Sequence, residues 1–363
     1  MKILTPILDE YLNDWVIHTI GMIDKYNYLV VAQWADEKVP YKTKSGKTGF
    51  STSLMIIDLN NSHVRRKIIV HRIGKVYCDG GIIKGHKEAF FSSYAGITFH
   101  MDKDDFLHEE QLSTDERREK GISRGSRGIR LIGDYFYSVD SGNDLHRRDK
   151  AKEWTYLSKD PRTYCEKIGD CGGQALASYS ENEIYMSGRK GSLWHYDGKA
   201  WEKIPGIPKD MNLRYLECAE DGKVYAVDKH ADGVAVGRGK DFKFIHMKDN
   251  DPVKGHIVYD ACTFNGKMYI ADGDIYEFKN GAWIDANIPG IYGSVEHLAS
   301  KDGVMFIATP YSLKIYNGKE TFTLYGEAKE DAILVTKALL EVSGELLEKG
   351  HDFLDELAGQ KKN

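Results

Sequence analysis

Three aspartates occupy matching places in a recurring sequence phrase, and together they could bind a cation. Asp140, Asp228 and Asp272 each stand three residues after an aromatic residue of the phrase. Hard divalent cations prefer several oxygen ligands, so carboxylates from different repeats are candidate ligands. The competing interpretation is that each aspartate bonds the backbone of its own turn. The matching places in three other copies hold Tyr94, Gly188 and Thr309. The set is therefore incomplete, which favours the turn interpretation, and no metal is predicted.

Other residues that often carry catalysis give weaker signals. His230 and His256 lie near the same predicted turns and are the acid–base candidates if the protein is an enzyme. Residues 45–48 resemble the end of a phosphate-binding loop, but Tyr41 stands where that loop needs a glycine. The sequence contains no Gly-x-Ser-x-Gly and no His-Glu-x-x-His motif. We therefore predict a protein without catalytic activity or cofactor.

The densest basic segment, residues 117–130, contains five arginines and one lysine. Such a run could contact phosphates. Acidic residues at 115, 116 and 119 dilute its charge, and no aromatic side chains interleave for base stacking. The segment is interpreted as a solvated connection, with a protein-binding rim as a further use because arginine is favoured at interfaces. No nucleic-acid partner is predicted.

The elements that position these residues recur along the chain as short strands. Each copy has a turn, an apolar residue, an aromatic anchor and small residues, and six successive steps measure 63, 46, 48, 40, 44 and 37 residues. Most steps match the ~40–50 residues of a four-stranded blade. The pattern predicts an all-β fold, a β-propeller of seven four-stranded antiparallel blades, with six as the competing count. The anchors are Tyr28, Phe91, Tyr137, Tyr185, Tyr225, Tyr269 and Phe306. The units span residues 16–72, 73–112, 122–161, 170–208, 212–248, 255–289 and 293–325.

The chain divides at residue 325 into a propeller, 1–325, and a C-terminal helical extension, 326–363. Asn-Gly and Asp-Gly pairs supply the positive φ of tight hairpin turns within the propeller. The polar stretch from residue 36 to residue 49 lengthens the first step and is predicted to be a loop or hairpin insertion. The extension repeats apolar residues at helical spacing and carries an acidic polar face. It is either a cap packed on a blade or an acidic arm that contacts a basic partner or mediates self-association.

Composition places bounds on the environment of the protein. A net charge of −5 gives no general case for nucleic acid or an anionic membrane. The N-terminus lacks a signal-peptide pattern, and no window approaches the ~18 apolar residues of a membrane helix. Five irregularly spaced cysteines indicate reduced thiols, so we predict a cytoplasmic protein. Cys218 and Cys262 are interpreted as small core residues of inner strands.

Residues 193–205, which read LWHYDGKAWEKIP, resemble the outer hairpin of bacterial β-propeller repeat proteins. The chain lacks the repeated Gly-His and Trp-Asp signatures of the WD type and the paired glycines of the kelch type. The resemblance implies a binding scaffold, because propellers of this kind often act as such. Among bacterial proteins, the chain looks similar to immunity proteins, which block a toxin. The resemblance implies a cytoplasmic partner-binding protein that occludes the active site of a basic toxin or effector.

The expected partner contacts lie on one rim and on the extension. The rim candidates are Asp140, Arg189, Lys190, Asp228, His230, Asp272 and Tyr311. The helix candidates are Glu341, Glu345, Glu348 and Asp352. Two alternatives stay open: a metal-dependent hydrolase or lyase with its site at the channel mouth, and a carbohydrate-binding propeller. The second would use exposed Trp194, Trp201 and Trp283, which are more simply interpreted as blade core.

Overall fold

The computed structural model describes residues 4–13, 15–34, 41–42, 48–49, 51–69, 76–93, 97–101, 106–111, 126–140, 142–150, 153–169 and 172–326. Over these residues the chain forms seven four-stranded antiparallel sheets, each from its own stretch of chain. The predicted seven-bladed propeller is confirmed. The division at residue 325 and the helical extension stay predictions, because residues 327–363 lie outside the described residues.

The four strands of each blade run in chain order from the central channel to the outer edge. Blade 1 has β1 (Trp15–Asp24), β2 (Asn27–Trp34), β5 (Thr52–Asp58) and β6 (His63–Ile69). Blade 2 has β7 (Val76–Ile83), β8 (His86–Ser93), β9 (Ile97–Met101) and β10 (Phe106–Gln111). Blade 3 has β11 (Ser126–Ile132), β12 (Tyr135–Asp140), β13 (Leu145–Lys150) and β14 (Glu153–Tyr156). Blade 4 has β15 (Gly173–Ser180), β16 (Glu183–Gly188), β17 (Leu193–Tyr196) and β18 (Trp201–Lys203).

The last three blades have the same plan. Blade 5 has β19 (Leu213–Cys218), β20 (Val224–Asp228), β21 (Gly233–Arg238) and β22 (Asp241–His246). Blade 6 has β23 (Asp260–Phe264), β24 (Lys267–Ala271), β25 (Ile275–Lys279) and β26 (Ala282–Asp285). Blade 7 has β27 (His297–Lys301), β28 (Val304–Thr309), β29 (Ser312–Tyr316) and β30 (Thr321–Tyr325).

The insertion in blade 1 is a small hairpin. Its strands β3 (Tyr41–Lys42) and β4 (Thr48–Gly49) pair with each other and lie between β2 and β5 in the chain. The polar stretch was predicted as a loop or hairpin, and the hairpin is what forms.

The sequence signals for turns and anchors correspond to observed features. Asn265 and Gly266, between β23 and β24, have φ of 50° and 71°, the left-handed values that a tight turn of this kind needs. All seven aromatic anchors are buried on second strands, where their rings fill the space between neighbouring blades. Trp194, Trp201 and Trp283 are buried as well, so these three side chains are blade core and not a carbohydrate platform.

Blades 1 and 7 meet at a seam that closes the ring. Each of the two blades comes from one end of the described chain, so among the described sheets none combines strands from both ends. The seam is held by an apolar cluster in which the rings of Tyr28 and Phe306 lie 4.6 Å apart. Helix α1 (Leu4–Leu12) adds the buried Leu8 and Leu12 to this cluster. The Ile17 amide donates to the Pro310 carbonyl at 2.9 Å across the seam.

Two helices were not predicted from the sequence. α1 precedes blade 1, and α2 (Lys159–Ile168) connects blades 3 and 4. Both are short and lie in connections, where repeat spacing carries no information. No helix among the described residues has the length and apolar composition needed to cross a bilayer.

Candidate functional site: the turn face and the central channel

One face of the propeller carries the predicted rim residues. Antiparallel order places the turns between second and third strands, and the connections between blades, on the same side of the ring. We call this side the turn face and define it by residues 140, 142–144, 188–192, 228–232, 247–259, 272–274, 286–296 and 309–312. All seven predicted rim residues lie on it, in the turns of blades 3 to 7.

Asp140 and Asp228 stabilise their own turns and offer a partner almost no surface. Asp140 is 6% exposed, and its Oδ1 accepts the Gly142 and Asp144 amides at 2.7 and 3.0 Å. Asp228 is 3% exposed and accepts the Asn212 and His230 amides at 2.7 and 2.8 Å. We therefore leave both out of the proposed partner contacts.

Asp272 is half-buried and pairs with a histidine from the preceding connection. His256 Nδ1 lies 2.9 Å from Asp272 Oδ2, and the imidazole is 58% exposed while the carboxylate is 5% exposed. The pair joins the blade 5–6 connection to the blade 6 turn. It presents the imidazole, more than the carboxylate, to a partner.

Arg189, Lys190 and His230 occupy the turns of blades 4 and 5. Arg189 and His230 are half-buried, and Lys190 is exposed. The Lys190 Nζ donates to the Gly169 carbonyl at 2.5 Å. Their placement leaves all three within reach of a molecule bound to the turn face.

Several exposed apolar side chains lie on the turn face of blades 5 to 7. Tyr311 is 65% exposed and Tyr292 is 88% exposed. Ile257 and Tyr259 are also exposed and precede β23. Backbone bonds hold this region together, since Gly273 and Val295 exchange amide–carbonyl bonds at 3.2 and 2.8 Å. Of these residues only Tyr311 was predicted, because the others lie in connections of unequal length.

The same region is acidic. Residues 228–232, 247–259, 272–274, 286–296 and 309–311 hold seven carboxylates and three lysines. Asp249, Asp274 and Lys248 are exposed. Charged groups of one sign raise the encounter rate with a partner of the opposite sign. The region therefore combines exposed tyrosines with an excess of carboxylates over lysines.

The three predicted aspartates do not converge on a common cation site. The one potential metal-ligand group found among the described residues joins Asp140 to Asp144 and His146, with ligand atoms within 4.8 Å of one another. All three belong to blade 3 and are buried. Asp228 and Asp272 lie in their own blades and bond their own turns or a neighbouring histidine.

The central channel forms a cavity of about 470 Å³ lined by the inner strands of all seven blades. Its charged lining consists of three carboxylates, four strong cations and one histidine. The residues are Asp79, Glu217, Asp260, Arg127, Arg130, Arg214, Lys301 and His297. Cys78, Cys218 and Cys262 also line it, as free thiols whose pKa values are raised, first of all by burial.

Two of the channel carboxylates join adjacent blades. Asp79 Oδ2 accepts the Leu131 amide of the next blade at 2.8 Å. Asp260 Oδ2 accepts the Leu298 amide of the next blade at 3.2 Å. Each aspartate also accepts the amide of the residue that follows it. These carboxylates are therefore bound by backbone donors and tie inner strands together.

Glu217 is the most perturbed acid of the channel. Its Oε1 lies 2.5 Å from Arg130 Nη2, a contact that joins blade 5 to blade 3. Desolvation by burial raises the pKa of Glu217 to about 7, and Arg130 offsets part of this rise. A carboxyl that titrates near neutrality in a cavity is a candidate acid–base group. It is equally able to serve as one half of a structural ion pair.

The raised pKa predicts a pH dependence of stability. Because the folded state holds the Glu217 proton more tightly than the unfolded state, stability is highest below the unfolded pKa and is lost as pH rises through about 7. Between about pH 5 and pH 8 the loss from this group is on the order of 2–3 kcal/mol. Urea unfolding of the wild type and of Glu217→Gln across this range measures it. Parallel profiles for the two proteins would contradict the assignment.

Comparison with known proteins adds one relative and a set of fold matches. No protein-family model matches the chain. The chain is similar to the immune protein Tsi7 of Pseudomonas aeruginosa, with 26% identity over 241 residues, covering 64% of this chain and 74% of that protein.

The structural matches show the propeller fold. A catalytically inactive virginiamycin B lyase from Staphylococcus aureus, solved with quinupristin, has a TM-score of 0.61 at 10% identity and covers 82% of this chain and 93% of its own. Sqt1 of Saccharomyces cerevisiae has a TM-score of 0.54 at 12% identity and covers 86% of both chains. The WD40 propeller domain of Doa1 has a TM-score of 0.52 at 12% identity, covering 82% of this chain and 90% of its own. Identities this low carry no statement about activity.

Proposed function

We propose that this protein is an immunity protein that binds and neutralises a protein toxin. The observation that carries the proposal is the similarity to the immune protein Tsi7 over 241 residues. The fold supports it, because a propeller holds many turns on rigid strands and such turns suit protein docking. The free thiols of Cys78, Cys218 and Cys262 fit a reducing compartment, and we place the protein in the cytoplasm.

The proposed docking surface is the turn face of blades 5 to 7. Tyr259, Tyr292 and Tyr311 offer large rings whose burial supplies energy at low cost in side-chain entropy. The surrounding carboxylates outnumber the lysines, which favours a basic partner. Arg189, Lys190, His230 and Asp272 belong to the wider contact zone.

The proposed mechanism is steric occlusion of the active site of the toxin. A toxin whose catalytic surface is basic would be drawn to the acidic face by long-range attraction, and the tyrosines would then hold it in place. Complementary charge would raise the association rate more than the final affinity. The acidic C-terminal extension, with Glu341, Glu345, Glu348 and Asp352, would supply a second contact.

The test begins with capture of a partner by the intact protein from lysate of its source. The captured protein is then expressed in a bacterial host with and without this chain, and survival is scored. We expect the partner to kill cells alone and to be harmless when this chain is present. A partner that is not toxic, or a toxin that still kills in the presence of this chain, contradicts the proposal.

A second candidate function rests on Glu217. A buried acid with a pKa near 7, paired with Arg130 in a cavity that His297 also lines, gives the channel the groups of an acid–base hydrolase or lyase. Metal analysis of the purified protein distinguishes the metal-dependent form of this alternative, for which the Asp140, Asp144 and His146 group is the available ligand set. A stoichiometric metal lost in Asp144→Asn would favour the enzyme, and a metal-free protein of full protective activity would exclude that form.

A further inference from the structure

We propose that the mouth of the central channel is a binding site for a small oxyanion, a carboxylate or phosphate, held by Arg127, Gln174 and Arg214. The proposal is independent of toxin binding, because Arg127, Gln174 and Arg214 do not belong to the proposed docking surface of blades 5 to 7. It is carried by the backbone geometry of three consecutive inner strands and by the charges of the cavity.

A β-bulge interrupts each of the three inner strands at the same end. The pairing steps from Ser126 to Gly128 in β11, from Gly173 to Ala175 in β15 and from Leu213 to Tyr215 in β19. The extra residues are Arg127, Gln174 and Arg214. Bulges often re-aim a side chain next to a functional site.

The three bulge residues belong to neighbouring strands and share one cavity. β11 packs beside β15, and β15 packs beside β19. Arg127, Gln174 and Arg214 all line the channel and are half-buried. Each lies where its inner strand begins, which is the turn-face end of the channel. The site is therefore open to solvent on one side and flanked by three blades.

The three side chains have the chemistry of an oxyanion site. Guanidinium groups bind carboxylates and phosphates through paired, charge-assisted hydrogen bonds. Gln174, on the strand between those of the two arginines, adds a neutral donor, since its Nε2 carries two hydrogens and gives one to the Gly172 carbonyl at 3.5 Å. Arg214 lies against the Tyr215 ring, with Cζ 5.7 Å from its centre, and forms no ion pair with a carboxylate of the described residues.

The carboxylates of the cavity already have other partners. Asp79 and Asp260 accept backbone amides, and Glu217 binds Arg130. The Lys301 Nζ donates to the Gly80 carbonyl at 2.8 Å, which is a neutral acceptor and does not balance the charge of the lysine. The lining therefore holds four strong cations and three carboxylates, and each of these carboxylates is engaged within the ring.

The size of the cavity fits a small molecule. At about 470 Å³ it falls within the roughly 300–1,000 Å³ typical of ligand pockets. The basic run singled out in the sequence contributes here, because its last residues form β11 and place Arg127 and Arg130 in the channel. The part of that run before residue 126 lies outside the described residues.

The experiment is isothermal titration calorimetry of the full chain with two probes, inorganic phosphate and citrate, at constant ionic strength. We expect one saturable site for at least one probe, and the preferred probe distinguishes a phosphate site from a carboxylate site. Arg214→Ala should weaken that binding by roughly tenfold or more, because a hydrogen-bonded charge is lost. Gln174→Ala should weaken it by a smaller factor.

The matched control is Lys209→Ala, which removes one positive charge from the exposed connection between blades 4 and 5. It should leave the affinity within about twofold, since surface charges contribute little. Thermal unfolding of every variant checks that the ring is intact. The proposal is overturned if neither probe saturates, or if Lys209→Ala weakens binding as much as Arg214→Ala does.

Discussion

Replacing Phe306 with alanine should lower the free energy of unfolding by about 3–5 kcal/mol, the usual cost of truncating a buried phenylalanine. Phe306 is fully buried on β28, packed against Tyr28 in the cluster that also contains α1. The seam has no strand shared between the two ends of the described chain, so side-chain packing carries most of the closure. Urea unfolding followed by tryptophan fluorescence measures the change.

Tyr311→Ala in the same blade is the control for this prediction. Its ring is 65% exposed, so the substitution should change stability by no more than about 0.5 kcal/mol. If Phe306→Ala were as mild as Tyr311→Ala, the seam would not depend on this contact. If both were severe, the turn of blade 7 would have a structural role that its exposure does not suggest.

The double variant Tyr292→Ala and Tyr311→Ala should weaken binding to the toxin by about 100-fold or more. Interface tyrosines that act as hot spots cost ~2 kcal/mol or more each on truncation, and we expect both of these to act so. Both side chains extend from the turn face and are the two most exposed large apolar residues of the described chain. The loss of affinity is measured by surface plasmon resonance, with the toxin that the capture and survival experiments identify. It should appear mainly as a faster dissociation rate.

Ile82→Ala is the matched control for the docking surface. Ile82 is 57% exposed and lies near the end of β7, on the side of the propeller opposite the turn face. Its truncation should leave the affinity unchanged. The reverse outcome, with loss for Ile82→Ala and none for the tyrosine pair, would move the docking surface to the opposite face while leaving the immunity function intact.

The architecture was accessible from the sequence because its signals are local. The spacing of Tyr137, Tyr185 and Tyr225 reflects strand length and turn chemistry, both of which are set by residues close together in the chain. The observed strands of every blade fall within the predicted units, apart from the first residue of β1. Polar composition likewise indicated the insertion in blade 1, but it left open whether the insertion is a loop or the observed hairpin β3–β4.

The site residues were harder to predict from the sequence, because their placement depends on how the blades assemble into the ring. Asp140 and Asp228 looked like surface carboxylates, yet the turn interpretation describes them better, since both bond turn amides. Tyr292 has no equivalent in other repeats, so repetition could not identify it. Arg214 reaches the channel through a bulge, and a one-residue shift in pairing leaves no mark in composition.

The helix α1 did have a readable signal. Leu8 and Leu12 are spaced by four residues, and Pro6 stands in the first turn, where proline suits a helix. The segment precedes the repeats, so the repeat pattern carries no information about it.

No blade combines strands from the two ends of the described chain, and this has a consequence for folding during synthesis. Each blade comes from one contiguous stretch, so a ribosome delivers every sheet whole before the next one begins. Most pairing is between neighbours in sequence, which keeps the entropy cost of each step small. The packing of blade 7 against blade 1 joins the two ends of the described chain through contact between blade faces, with no strand exchanged. A circular permutant whose new ends lie between two blades would keep every sheet intact and would only move the seam.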